Sequence, residues 1–298
     1  RTAALVNTVF TSPENYGGAV LVLGVLGYCV QLYCDFSGGI DITRGVARLF
    51  GIDMAENFRR PIFAASLTDY WRRWHITLGA WMRDYVFYPL SLSRGFGKIS
   101  RWARAHIRGT GGKIFATSLA TFIVYLIIGI WHGANFRYIA FGLWNGVLIT
   151  AALLLEPLFV RVREKLPIRW DGWLWHGVQM LRTGVIVFIG RYITRAPRLI
   201  TALSMLRRSV TDFSLSQLRG GALFSLGMTK ADWLVVLAGL AVLLAVEVYQ
   251  ERGGGARLLL ARQKPAVQGL VTLVWLAAIL LLGALGGYTG AGFIYAQY

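Results

Sequence analysis

Five stretches of this chain, residues 17–34, 114–131, 138–156, 232–249 and 266–287, are almost free of charge. Each is close to the 20 or so apolar residues needed to cross a hydrocarbon core roughly 30 Å thick. Backbone amides and carbonyls at that depth must be satisfied inside the segment, so each stretch is expected to be an α-helix. Charged residues make up only 15% of the 298, against about 25% in soluble domains, too few to clothe a water-soluble globule. Disorder, a disulfide-stapled secreted domain and a soluble nucleic-acid binder are excluded on the same ground. The expected fold class is all-α, a polytopic membrane protein forming a single membrane domain over residues 1–298.

Two weaker windows, 76–92 and 173–190, are interrupted by Arg83, Asp84 and Arg182 and by clustered Trp; they are expected to be tilted, re-entrant or interfacial. The net charge of +17 reads as Lys and Arg gathered at cytoplasmic span ends, where they favour anionic lipid and anionic ligands rather than nucleic acid. Arg94, Lys98, Arg101, Arg104, Arg108 and Lys113 form one such run, and Arg161, Arg163, Lys165 and Arg169 another. With both runs cytoplasmic, 114–156 becomes a hairpin, or two half-spans, turning at Trp131-His132-Gly133-Ala134-Asn135. Arg191, Arg195, Arg198, Arg207 and Arg208 should then be cytoplasmic too, which one full crossing at 173–190 forbids, so a re-entrant or surface-lying element is expected there. Cys29 and Cys34 share one apolar stretch and read as packing residues. No repeat of 20–50 residues and no pair of broken helices of the transporter kind is found. The chain starts at Arg1 with no signal-peptide pattern, and is expected to be the C-terminal part of a longer protein.

Ionisable groups inside apolar sequence are costly and therefore functional candidates. The first cluster is Tyr33-Cys34-Asp35-Phe36-Ser37-Gly38-Gly39-Ile40-Asp41. It reads either as a polar site at a glycine bend or as a span end whose carboxylates cap the next helix or pair with Arg44 or Arg48. The second opens with Ser66-Leu67-Thr68-Asp69, a capping-box pattern, ahead of an expected helix through His75 toward Pro89. Three- and four-residue spacing then puts Trp71, Arg72, Leu78 and Gly79 on the face of His75. The alternative is an interfacial belt, with Trp71, Trp74 and Trp81 at headgroup level and Arg72 and Arg73 snorkelling. The third is His132, in a stretch with no other charge between Lys113 and Arg137. A low dielectric keeps an imidazole neutral and able to accept a hydroxyl proton; a histidine hydrogen-bonded into a helix bundle is the alternative. His106 reads as solvated and His176 as part of an aromatic belt. No H-x-x-x-H, G-x-S-x-G, Walker or Rossmann pattern occurs, so no metal site is expected.

These stretches together resemble the membrane-bound O-acyltransferases, in the bacterial branch of alginate O-acetyltransferases and teichoic acid D-alanyl transfer proteins. The resemblance is carried by Gln31-Leu32-Tyr33-Cys34-Asp35-Phe36-Ser37-Gly38, Glu56-Asn57-Phe58-Arg59-Arg60-Pro61, Tyr70 to Leu78 with Arg83-Asp84-Tyr85, and Gly129-Ile130-Trp131-His132-Gly133-Ala134, in the family's order. Residues from about 160 to 290 match only in hydropathy. Phe293-Ile294-Tyr295-Ala296-Gln297-Tyr298 resembles the branch's terminal F-x-Y-x-x-F element, with Tyr298 in place of the last Phe. The resemblance implies a ring of tilted and re-entrant helices around a central acyl-transfer passage in a bacterial plasma membrane, with further N-terminal spans in relatives.

It also implies roles. His132 matches the family's invariant histidine and His75 its second histidine; both are expected to be catalytic. Asp35, Tyr33, Ser37, Trp71, Arg72 and Asn135 are expected to support the site or orient the donor, and Tyr295 to relay the acyl group to an extracellular partner transferase or esterase. The donor is expected to be acyl-CoA or an acyl carrier protein, with no tightly bound cofactor, and the acyl group is expected to be acetyl, bound for a polysaccharide or peptidoglycan. D-alanylation of teichoic acid is the alternative within the family. A transporter, or a scaffold without activity, is the alternative outside it.

Overall fold

The computed structural model describes residues 1–166, 169–219 and 221–283. The α-helices among them are Thr2–Thr11 (α1), Gly18–Leu49 (α2), Leu67–Arg73 (α3), Ile76–Met82 (α4), Tyr88–Leu92 (α5), Arg94–His106 (α6), Thr110–Trp131 (α7), Phe136–Lys165 (α8), Trp173–Arg195 (α9), Leu199–Thr211 (α10), Lys230–Glu251 (α11), Ala256–Ala261 (α12) and Pro265–Leu282 (α13). The only β pairing among the described residues is the bridge between Phe58 and Trp74. The protein is thus all-α. Five helices, α2, α7, α8, α11 and α13, are long and apolar enough to cross a membrane, and each covers all or most of one of the five windows read from the sequence, residues 284–287 of the last window lying outside the described residues.

The weaker windows fold differently from those five. Residues 76–92 are not one helix but α4, a π-helical turn at Arg83–Phe87, and α5, with Pro89 in the first turn of α5. Residues 173–190 lie within the unbroken α9, which is not among the helices apolar enough to cross.

Helix α2 corrects one expectation. It does not end or bend after Cys34 but runs for 32 residues through Asp35, Ser37, Gly38, Gly39 and Asp41. Continuing the helical ladder keeps every amide paired, and the hydroxyl of Thr43 returns to the carbonyl of Gly39 at 2.9 Å. Of the pairings foreseen for this stretch, Asp41 with Arg44 at 3.3 Å is present, spaced i,i+3 on the helix.

The contacts divide the chain into two compact units. The first comprises Arg1–Asp35 and the described residues from Arg208 on. Its core is the buried face of α1, with Leu5, Val6, Val9 and Phe10, together with Leu21, Val25 and Tyr28 of α2; the rings of Phe10 and Tyr28 meet edge to face at 6.2 Å. Within this unit the hydroxyl of Tyr33 donates to the buried carboxylate of Glu247 on α11. The second unit, Phe36–Arg207, is built on the α7–α8 pair. A Cβ on Gly142 would lie 2.6 Å from the carbonyl oxygen of Tyr125, and one on Gly129 only 2.4 Å from that of Tyr138. Small residues let the two backbones touch, as membrane helices favour. Leu78 and Met82 of α4 pack with Val124 and Ile128 of α7 to form a buried cluster.

Candidate functional site

His75 does not lie inside a helix, contrary to the expectation from spacing. Helix α3 ends at Arg73, Trp74 is extended, and His75 takes φ 50°, ψ 53° in the left-handed region before α4 begins. The cause is the segment at Asn57. A continuing helix would send the amide of Ile76 to the carbonyl of Arg72 and that of Thr77 to the carbonyl of Arg73. Instead Ile76 donates to the carbonyl of Asn57 at 3.1 Å, Thr77 donates to Asn57 Oδ1 at 3.1 Å, and the carbonyl of Arg73 accepts from the amide of Arg59 at 2.9 Å. Asn57 thereby ends one helix and caps the next, its Oδ1 also accepting from the Thr77 hydroxyl at 2.7 Å. The left-handed conformation costs a residue with a Cβ roughly 1–2 kcal/mol, and such strain concentrates at functional sites.

The capping pattern ahead of this break is half realised. Ser66 Oγ accepts from the amide of Asp69 at 3.0 Å, but the Asp69 carboxylate reaches the amide of Ala65 rather than that of Ser66. Asp69 also pairs with Arg73 at 3.1 Å.

The break turns His75 into an aromatic cluster. Its ring meets Phe36 edge to face at 4.9 Å and lies 6.0 Å from Trp131. Trp131 lies 5.0 Å from His132, and His132 in turn 6.3 Å from both Tyr138 and Phe141. One indole therefore contacts both imidazoles. His132 is held at the foreseen hairpin turn, where its amide returns to the carbonyls of Ile128 and Gly129. A cavity of about 270 Å³ opens beside His75, with Trp71, Leu78, Gly79, Met82 and Arg83 in its wall. Trp71, Leu78 and Gly79 thus share surroundings with His75, though through the break rather than along one helix face. Arg72 is exposed and is not in that wall.

Both imidazoles lie outside the five long apolar helices, and burial pushes each from 6.5 down to about 4. For His132 the positive charge of His75 once that ring protonates, and that of Arg191, add to the effect. Both rings are then neutral near pH 7 and able to accept a proton.

The remaining predicted residues divide. Trp71 is tied to α8: its Nε1 donates to Asn145 Oδ1 at 3.1 Å, and Asn145 Nδ2 donates to the carbonyl of Phe141 at 2.8 Å. Trp71 is half-buried and Trp74 buried, whereas Trp81 is exposed and stacks on Tyr85. Ser37 is half-buried on α2, next to Phe36. Asn135 caps α8, its Oδ1 accepting from the amide of Arg137 at 3.1 Å. Tyr33 and Asp35 belong to the first unit, where Tyr33 is engaged with Glu247. Tyr295 lies outside the described residues. His106 and His176 are exposed, and among the described residues no three of His, Cys, Asp and Glu gather as a metal site would require.

Sequence reasoning quoted Asn57 and Tyr70 only as parts of motifs, without a role, and missed Asn145 and Arg191. Arg191 is buried and donates to the hydroxyl of Tyr70 at 2.7 Å, its guanidinium 5.2 Å from the centre of the Trp74 ring. In sequence it is one more Arg in a basic run, and only its place directly after an apolar window set it apart.

Comparison with known proteins bears on the family of the chain. Residues 12–104 match the model of the membrane-bound O-acyltransferase family. The protein named "Probable alginate O-acetylase AlgI" of Pseudomonas syringae pv. tomato is 33% identical over 232 residues, covering 77% of this chain and 39% of that relative. The teichoic acid D-alanyltransferase of Bacillus subtilis is 31% identical over 135 residues, 45% of this chain and 32% of the relative. The peptidoglycan O-acetyltransferase of Helicobacter pylori is 34% identical over 125 residues, 42% and 20% of the two chains. The chain spans about two fifths of the length of the alginate-acetylating relatives it matches. With its order of motifs, its five apolar helices and these likenesses, the chain belongs to the membrane-bound O-acyltransferase family.

Proposed function

We propose that this chain carries the acyl-transfer site of a multi-pass O-acyltransferase of a bacterial plasma membrane. Its reaction moves an acyl group, acetyl in the first instance, from the thioester of acyl-CoA or an acyl carrier protein to a hydroxyl destined for an extracellular polysaccharide or peptidoglycan. The observation that carries this reading is the pair of neutral imidazoles, His75 and His132, gathered on one tryptophan from separate elements.

In this reading His132 takes the proton of the acceptor hydroxyl as its oxygen attacks the thioester carbonyl. The tetrahedral oxyanion collapses with loss of the C–S bond, and the departing sulfur receives the proton from the His132 imidazolium. General-base assistance of this kind is worth about 10²–10⁴-fold. A thioester is already activated, so positioning supplies much of the remainder and no covalent serine is needed. His75 orients the donor or steadies the oxyanion. The cavity at its side supports that assignment, having an apolar wall for the donor's arm and Arg83 among its residues. The basic faces of the protein suit the phosphates of coenzyme A or an acidic carrier. Tyr295 serves as an acyl relay to an extracellular partner.

The likeness to named D-alanyltransferases supports a second reading, in which the group moved is D-alanyl and the acceptor teichoic acid. One experiment decides between the readings. The full-length protein and its His132→Ala variant are expressed at equal levels in the native membrane, and acetyl and D-alanyl esters on the surface polymers are measured. Loss of acetyl esters is expected; loss of D-alanyl esters selects the second reading, and unchanged esters of both kinds refute acyl transfer through His132.

A further inference from the structure

We propose that Arg191 is a positioning residue of the two-histidine site, a permanently charged group buried within it that braces the aromatic stack behind His75. The inference rests on the acyl-transfer reading above, in which His132 must stay unprotonated to act.

The geometry has two halves. Arg191 Nη2 donates to the hydroxyl of Tyr70 at 2.7 Å while its guanidinium lies 5.2 Å from the centre of the Trp74 ring. Tyr70 and Trp74 are stacked on each other, 5.7 Å between centres and 15° between planes. Trp74 is the residue before His75, so a guanidinium that grips both rings holds the last turn of α3 at the point where the backbone crosses into the left-handed conformation. A planar, permanently charged group can donate to a phenol and lie against an indole at once, which an ammonium does less well.

The second half is electrostatic. Arg191 is 6% exposed, where a charge is screened far less than at the surface. Its charge disfavours protonation of His132, as does His75. On α8, the ring of Tyr138 lies 6.3 Å from that of His132, and its hydroxyl accepts from Arg137 at 2.9 Å. Replacing the guanidinium by a neutral amide therefore makes His132 easier to protonate, and activity must fail at a higher pH on the acid side.

The test uses the full-length protein in lipid nanodiscs with acetyl-CoA or the loaded carrier as donor. It compares Arg191→Gln, Arg191→Lys and Tyr70→Phe. The pH dependence of kcat/KM is followed together with direct titration of histidines by NMR on ¹⁵N-histidine-labelled protein. In Arg191→Gln the acid limb and the His132 titration should both move up by roughly one pH unit. In Arg191→Lys they should stay within a few tenths of wild type, because the charge remains. Tyr70→Phe removes the brace but not the charge, so kcat should fall several-fold with no movement of the limb. An Arg191→Gln protein whose His132 titrates as in wild type overturns the electrostatic half, and a Tyr70→Phe protein with wild-type kcat overturns the brace. If Arg191→Gln does not accumulate, Arg191→Met supplies the same reading. The titration is independent of turnover, so these failures are separate from the failure of the catalytic reading, which would show as His132→Ala with full activity.

Discussion

At His75 and His132, burial removes water that would otherwise solvate an imidazolium, and the two rings are held neutral down to about pH 4. If His132 is the base, kcat/KM of the wild-type protein should stay level from pH 7.5 down to about 5, below the ordinary histidine range; a limb centred near 6.5 in a pH–rate profile would refute the depressed titration. His75 adds a backbone constraint that its ring does not explain. At φ 50° only glycine is at ease, so His75→Gly and His75→Ala should differ in a direction opposite to helix propensity. Thermal denaturation should find the glycine variant more stable than the alanine variant by about 1 kcal/mol, while both lose the contact with Phe36. Nothing in the run of residues around His75 announces this strain. A helix start and three- and four-residue spacing fit one continuous helix equally well, because the competing hydrogen bonds come from Asn57, far outside the local window.

The break between α3 and α4 and the contact between α7 and α8 are where elements place the site. Asn57 serves three donors at the break, so Asn57→Ala leaves the start of α4 uncapped and should cost about 1–3 kcal/mol. It should also lower activity by loosening His75, measurable as a drop in kcat with donor KM little changed. The α7–α8 contact makes a sharper comparison possible. A methyl on Gly142 meets a backbone carbonyl at 2.6 Å, whereas one on Gly79 finds only the carbonyl of Trp71 at 3.7 Å. Gly142→Ala should therefore destabilise by about 1–3 kcal/mol through overpacking, and Gly79→Ala should be neutral or slightly stabilising through helix propensity. Equal effects in thermal unfolding would mean that α7 and α8 are not packed at that distance. The hairpin itself was legible from its length, its apolar run and the turn residues around Gly133; the depth of the contact was not, because Gly is frequent throughout this chain.

For the protein as a whole, the same two histidines link stability to acidity. In an unfolded chain they take up protons near 6.5, in the folded protein only near 4. Between those values the unfolded state binds more protons, so stability rises with pH there and is lost as the pH falls from about 6.5 toward 4. The thermal midpoint in detergent should decline across that window, and the double variant His75→Gln, His132→Gln should flatten the decline; an unchanged slope would assign the loss to other groups. The sequence by itself determined the solvent and the class of the fold. Charge is too sparse and apolar runs too long for anything but membrane helices, since only a helix satisfies its own backbone in lipid. It also singled out His132 as a candidate, because an imidazole inside apolar sequence is costly enough to stand out. Tertiary structure alone decided that His75 leaves the helix, that Trp71 bonds to Asn145, and that Arg191 is buried against Tyr70 and Trp74. Each of those outcomes depends on a hydrogen-bond partner or a ring supplied from far along the chain, and a periodic pattern records only which face is apolar, not which distant group will meet it.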